Sequence, residues 1–436
     1  MEKRSMIDAS GNAFGAENHA QLPNGVADYF WDEALQRRRL ENDLLETFRC
    51  WGYADVVPPM FEYAETLNAR AGKKLRSEMY RLQDRDGSTL ALRADLTIPV
   101  ARLVGTRLHD WPMPQRFCYA GSVFRHVEPQ AGRQCEFWQA GVELIGAHHL
   151  TADAEVLAVT AHAVQVAGIA NFQLVVGQIQ YFSGLLTDLQ LSPAHHDLLL
   201  RAIDRNSAAE LADFLREVSL SPEQRRTVEG LPELSGADPD EIFVQAGRLC
   251  LNPPMHNALA NLRAVYEALD AYGLADYLFV DLTEIHDLGY YSGMTFEVLT
   301  PELGFALGSG GRYDDLIGTF GKQIPAVGVA LGIDRILLAR QLQFDRQSIV
   351  TPTAAQLLVS SGGNAHCLKQ VMAWRNHGVR IAVDVSANSP QALCELAARS
   401  GVGCALVWSG NGYHVYEEPG NPNAAAVFSR PQSAIS

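Results

Sequence analysis

Apolar positions along this chain change period several times, and each change marks an element. From Asp32 to Cys50, the residues Leu35, Leu40, Leu44, Leu45 and Phe48 fall on one helical stripe, with Gly52 placed to cap its end. Tyr53 to Val57 reads as a short strand closed by Pro58 and Pro59. Met79–Gln83 and Thr89–Leu92 flank Asp86-Gly87, a β-hairpin signature. A second antiparallel pair is predicted from Arg116 to Arg125 and from Glu136 to Ile145, joined by a polar loop over 126–133. Residues 151–170 read as a helix and 172–177 as a strand.

The pattern then loses its β-branched runs. Residues 190–275 predict short amphipathic helices, as an insertion into a sheet domain would. Strands return at 278–283 and 294–299, followed by a glycine-rich stretch at 308–311 and a strand at 326–331 that leads into a helix from Asp334 to Leu342. A polar segment at 343–353, carrying Pro352, marks a boundary. Beyond it strands and helices alternate, which predicts a small α/β domain over 354–416. The polar ends, 1–21 and 417–436, are expected to be flexible tails around a main domain at 22–342.

Composition narrows the class. With 436 residues, 47% apolar and 19% charged, the chain can build two or three domains with a sizeable core. It has no run near ~18 consecutive apolar residues, and its Lys-Arg start is followed by no apolar stretch, so neither a membrane span nor a secretory signal is predicted. The expected location is the cytoplasm. Thirty-five Lys and Arg against 50 Asp and Glu give a net charge of −15, without the basic stripe that phosphate neutralisation requires. Arg37-Arg38-Arg39 lies inside an amphipathic helix and reads as a solvated face. The seven cysteines form no C-x-x-C pair, and the pairs His148-His149 and His195-His196 lack metal-ligand spacing, so no metal or cofactor is expected.

Candidate chemistry comes from period two. On a strand from Phe137 to Glu143, Phe137, Gln139, Gly141 and Glu143 share one face, while Trp138, Ala140, Val142 and Leu144 form an apolar face that must pack. Arg125 ends the preceding strand, and Asp95 and Thr97 share a face if their segment is extended. Two carboxylates, an amide, a hydroxyl and a guanidinium suit a zwitterionic, nitrogen-rich small molecule. The alternative is a sheet face that is simply solvated. Gly308-Ser309-Gly310-Gly311 allows close backbone approach to a ligand or makes a tight turn, and Arg335 sits early in a helix where it can reach a phosphate.

The order of these pieces resembles motifs 1, 2 and 3 of class II aminoacyl-tRNA synthetases. Phe124-Arg125-His126, Gly132-Arg133, Gln139 and Gly141-Val142-Glu143 resemble motif 2 of the histidyl branch. Gly289-Tyr290-Tyr291-Ser292-Gly293 and Gly310-Gly311-Arg312-Tyr313-Asp314 resemble its two histidine-specific motifs. The resemblance covers about 22–342 and implies an α+β fold: an antiparallel sheet flanked by helices, with the small C-terminal domain resembling a reduced anticodon-binding domain. It also implies a histidine site made of Asp95, Thr97, Arg125, Gln139, Glu143, Tyr290, Tyr291 and Tyr313, with Arg125, Arg133 and Arg335 as candidate phosphate or nucleotide contacts.

Departures from the synthetase pattern matter as much. The arginine that assists amino-acid activation in the histidyl enzymes is His286 here, the motif 2 glutamate is Val127, and the motif 3 glutamate is Asp334. A histidine that is mostly neutral at pH 7 is a poor substitute for a permanent cation opposite a developing phosphate charge, and losing such a group commonly costs ~100-fold or more in rate. Histidine binding without activation resembles the regulatory-subunit family of ATP phosphoribosyltransferase. That resemblance implies no catalytic residues, a short-form catalytic subunit as partner, L-histidine as effector and a homodimer through 32–59. Over 351–436, five Lys and Arg face four Asp and Glu, which argues against a tRNA partner. An active histidine–tRNA ligase and a free-standing histidine sensor are the alternatives.

Overall fold

The computed structural model describes residues 21–68, 70–127, 134–284, 290–343, 355–402, 404–409 and 412–417. The expected tails (except Gln21 and Glu417), Arg133 and His286 lie outside those residues. The chain divides into two compact units between Asp345 and Arg346, with residues 28–38 grouped with the second.

From Arg39 on, α1 (Trp31–Cys50) belongs to the first unit and buries Leu40, Leu44 and Phe48, a stripe at four-residue spacing, and Gly52 (φ +84°) turns the chain out of the helix. The strand read over 53–57 is only β1 (Ala54–Asp55), because Pro58 and Pro59 follow so closely. Next come β2 (Phe61–Tyr63), α2 (Ala64–Asn68), α3 (Lys73–Glu78), β3 (Arg81–Gln83) and β4 (Thr89–Leu92), whose strands form a small sheet in the order β2-β4-β3. Gly87 (φ +89°) makes the hairpin turn between β3 and β4.

Residues 95–97 are not extended. Thr97 begins α4 (Thr97–Leu103), and the Asp95 carboxylate accepts from the Ile98 N–H at 2.9 Å, satisfying one of the helix's orphan donors.

The central sheet has nine strands: β1, β5 (Gln115–Phe124), β6 (Glu136–Ile145), β7 (Gln173–Gln178), β8 (Ser235–Gly236), β9 (Leu278–Asp281), β10 (Met294–Leu299), β11 (Gly308–Arg312) and β12 (Ala326–Gly332). Their order is β1-β5-β6-β12-β11-β10-β7-β9-β8, antiparallel from β5 through β7. The glycine-rich stretch is thus strand β11 rather than a turn. One face carries Ala140, Val142 and Leu144 of β6, in one core with Val156, Leu157 and Val164 of α5 (Leu150–Val166). Each of the Val and Leu side chains contributes roughly 1.5–3 kcal/mol when fully buried, as an upper figure.

After α6 (Ile179–Leu189) come five helices: α7 (Pro193–Asp204), α8 (Ala208–Glu217), α9 (Pro222–Gly230), α10 (Pro239–Leu249) and α11 (Pro253–Ala271). Each begins at a side-chain cap, in turn Ser192, Ser207, Ser221, Asp238 and Asn252, which explains why such short segments hold helical form. They are not a separate module. Phe214, Val228, Phe243 and Leu262 belong to the same core as the central sheet, and β8 extends that sheet's edge. Last in this unit is α12 (Ile333–Gln343).

The second unit holds a four-stranded sheet of β13 (Leu357–Ser360), β14 (Ile381–Val383), β15 (Cys404–Trp408) and β16 (Tyr413–Glu417), in the order β14-β13-β15-β16. Alternation along β13 sends Leu357 and Val359 to the core under α13 (Ala365–Asn376), and Leu358 to the core under α14 (Pro390–Arg399). Among the described residues, no helix is long and apolar enough to cross a membrane, and no cluster of His, Cys, Asp and Glu is arranged to hold a metal ion.

Candidate functional site

On the other face of the central sheet lies a cavity of about 280 Å³. Its floor is backbone: Gly308 to Gly310 of β11 and Gly328 to Ala330 of β12. Glycine is required there by space, because a Cβ on Gly310 would run into the Gly328 carbonyl and the Phe296 ring. Asp95 and Thr97 enter from the start of α4, Arg125 from the end of β5, Phe137 and Gln139 from β6, and Tyr290, Tyr291 and Tyr313 from the segments flanking β10 and β11. Arg335, from the first turn of α12, and Glu78, from α3, complete the polar lining.

The charges are arranged as a pair and a reserve. Arg125 donates from Nε to the Ala94 carbonyl at 2.9 Å and stands over the Phe137 ring, 5.1 Å from its centroid. Burial lowers its pKa while Asp95 and Glu78 pull the other way. Burial raises the Asp95 carboxyl, against its backbone hydrogen bonds and the nearby Arg125 charge. Gln139 is buried with its Oε1 unpartnered among the described residues, an acceptor held ready in the wall. Arg335 donates to the Ala306 carbonyl at 2.6 Å and lies over Phe305.

Glu143 differs from its expected place. It is 0% exposed and does not line the cavity: it lies beneath the floor, paired in register with Gly328, where a Cβ would overlap the carboxylate. Tyr119 donates to its Oε1 at 2.9 Å and Tyr313 donates to its Oε2. Thr97 also hydrogen-bonds it. The space beside Gly141 is filled by the Tyr119 ring rather than left for a ligand, since a Cβ at 141 would sit 2.6 Å from that hydroxyl. Desolvation raises Glu143 from 4.5 to about 7, against the lowering pull of the three hydroxyls.

Of the ten expected residues, eight share the cavity wall, Glu143 is one layer behind, and Arg133 lies outside the described residues. Tyr119 was missed. The sequence carried no signal for it, because the register of β5 against β6 is what sets Tyr119 opposite Gly141. Asp334 points elsewhere: it accepts from the Trp138 N–H at 2.8 Å and so holds the end of β6. Arg312, next to Tyr313, is spent on structure, paired at 2.7 Å with buried Asp153.

This sheet, with a polar cavity on one face and helices on the other, is a class II aminoacyl-tRNA synthetase-like fold. The sequence profile of the histidyl-tRNA synthetase family matches residues 25–336. An ATP phosphoribosyltransferase regulatory subunit from Moorella thermoacetica is 39% identical over 391 residues, 89% of this chain and 98% of that one. Another from Syntrophotalea carbinolica is 35% identical, covering 85% of this chain and 86% of its own. A solved structure described as an ATP phosphoribosyltransferase regulatory subunit/histidyl-tRNA synthetase, from Bacillus halodurans, superposes with a TM-score of 0.79 at 27% identity, over 90% of this chain and 99% of that one. The chain belongs to the ATP phosphoribosyltransferase regulatory-subunit family, a histidyl-tRNA synthetase-like branch of that fold.

Proposed function

We propose that this chain is the non-catalytic regulatory subunit of a two-component ATP phosphoribosyltransferase, needed for the first step of L-histidine biosynthesis, and that the cavity is where histidine exerts feedback inhibition. The observation that carries this reading is one cavity joining Asp95, Arg125 and a Gln139 acceptor that has no partner among the described residues. Carboxylate, guanidinium and amide match the ammonium, carboxylate and ring nitrogens of a small zwitterion. Linkage sets the condition for inhibition: histidine must bind an inactive state of the complex more tightly than the active one.

The reading includes a short-form catalytic subunit as partner, a homodimer through 32–59 and a cytoplasmic location. Arg125 and Arg335 are the retained candidates for nucleotide contact, and Arg133 is a third.

Reconstitution tests it. A short catalytic subunit should be inactive alone, gain ATP phosphoribosyltransferase activity with this chain, and lose it again on adding histidine. Asp95→Asn keeps the helix-start geometry but removes a charged hydrogen bond to the ligand, worth about 1.5–3 kcal/mol, so the complex should stay active while histidine inhibition weakens roughly 10- to 100-fold. Histidine-dependent ATP–pyrophosphate exchange by the chain alone would instead establish the ligase reading.

A further inference from the structure

Among the described residues of this unit, two carboxylates are fully buried, Asp153 and Glu143, and they are solved differently. Asp153 is met by Arg312, which donates from Nε at 3.0 Å and holds a second contact at 2.7 Å. Glu143 has no Lys, Arg or His paired with it among the described residues; its partners are hydroxyls. The groups around it are Tyr119 on β5, Asp95 and Thr97 at the start of α4, Tyr290 ahead of β10, and Tyr313 after β11, while β12 offers only the Gly328 backbone. The nearby cation, Arg125, acts on Asp95. A buried carboxylate without a counter-charge is costly, and the neighbouring Asp95 carboxylate makes the charged form of Glu143 costlier still.

We propose that Glu143 is a carboxylic acid while the cavity is empty and becomes a carboxylate when a ligand's protonated nitrogen occupies it. The inference rests on reading the cavity as the histidine site and adds the proton to it. The O–H bond of the acid breaks. Its proton passes to the ligand nitrogen if that arrives neutral, and to solvent if it arrives charged. Tyr313 and Thr97 line the cavity and also hydrogen-bond Glu143, so they stand between the ligand and the acid. An opposite charge within ~4–6 Å favours a carboxylate by roughly 1–3 pKa units, enough to complete the ionisation at neutral pH. Glu143 is therefore a positioning residue that senses ligand charge through two hydroxyls.

The test is infrared difference spectroscopy on the full-length protein at pH 6, with L-histidine as the probe and calorimetry to register binding. Wild type minus Glu143→Gln should show a protonated-carboxyl stretch in the empty protein. Saturating histidine should remove it. The subtraction isolates Glu143 from Asp95 and Asp153. Absence of the band in the empty protein overturns the proposal, as does a band that persists with histidine bound. If histidine gives no heat with wild type, it is the histidine reading that fails; imidazole then serves as the cationic probe, and the band's loss or persistence still decides about Glu143. Should the Gln variant fail to fold, Tyr313→Phe takes its place: removing one hydrogen bond must shift the band, and an unmoved band assigns it to another acid.

Discussion

Replacing Glu143 by Gln should make the empty protein more stable at pH 8, although it removes a residue of the site. The amide has the carboxyl's shape, and one tyrosine hydroxyl can donate to its oxygen while the other accepts from its NH₂. What disappears is the ionisation. Glu143 moves from 4.5 to about 7 on folding, and at 1.36 kcal/mol per tenfold that is on the order of 3 kcal/mol. The sign follows from which state holds the proton. Below about 4.5 both folded and unfolded chains carry it, so there is no penalty. As pH rises the unfolded chain ionises first, stability falls, and the full penalty is reached above about 7.

Urea unfolding of wild type and variant at pH 5, 6.5 and 8 measures this directly, following the transition of the first unit. The variant should exceed wild type by only about 1 kcal/mol at pH 5 and by about 3 kcal/mol at pH 8, or up to ~6 °C in melting temperature. A variant no more stable at pH 8, or a gap that does not change with pH, would refute the reasoning. Histidine binding should weaken in the same variant, so stability and sensing move in opposite directions.

Three further outcomes are expected. Asp153→Ala leaves the buried Arg312 with the Asp314 carboxylate and the Ala147 carbonyl and should cost about 3–5 kcal/mol in urea unfolding; a loss under 1 kcal/mol would show the pair to be replaceable. Val57 is 92% exposed within the proposed dimer segment, so Val57→Asp should leave the melting of the isolated fold unchanged while shifting sedimentation from dimer toward monomer; a stable monomer in the wild type removes the dimer. Gly328→Ala puts a methyl group into the Glu143 carboxylate and the Val142 carbonyl, so it should abolish histidine binding and lower the melting temperature, and wild-type affinity would mean that the floor yields.

Legibility varied with the range of the forces involved. The hairpin at Asp86-Gly87 and the five capped helices over 193–271 depend on residues within a few positions of one another, and local sequence suffices for those. Residues 95–97 misled, because Asp95 followed by Thr97 fits a strand as well as the capped start of α4, and only the hydrogen bond to Ile98 separates the two. The glycines at 308–311 were ambiguous for the same reason. A run of small residues permits a turn, and it equally permits a strand pressed against its neighbours; the pairing with β10 and β12 decides between them.

By itself, then, the sequence determined the alternation that faces Gln139 and Glu143 one way and Val142 and Leu144 the other, the acidic balance, and the motifs that carry the family resemblance. Those follow from strand period and composition, which need no partner. Only the tertiary structure decided that Tyr119 fills the space beside Gly141, that Tyr313 closes over Glu143, and that Gly328 seals it from the cavity floor. These contacts join residues up to 185 positions apart (328 − 143). The protonation of a carboxyl depends on what surrounds it in space, and strand period carries no information about that.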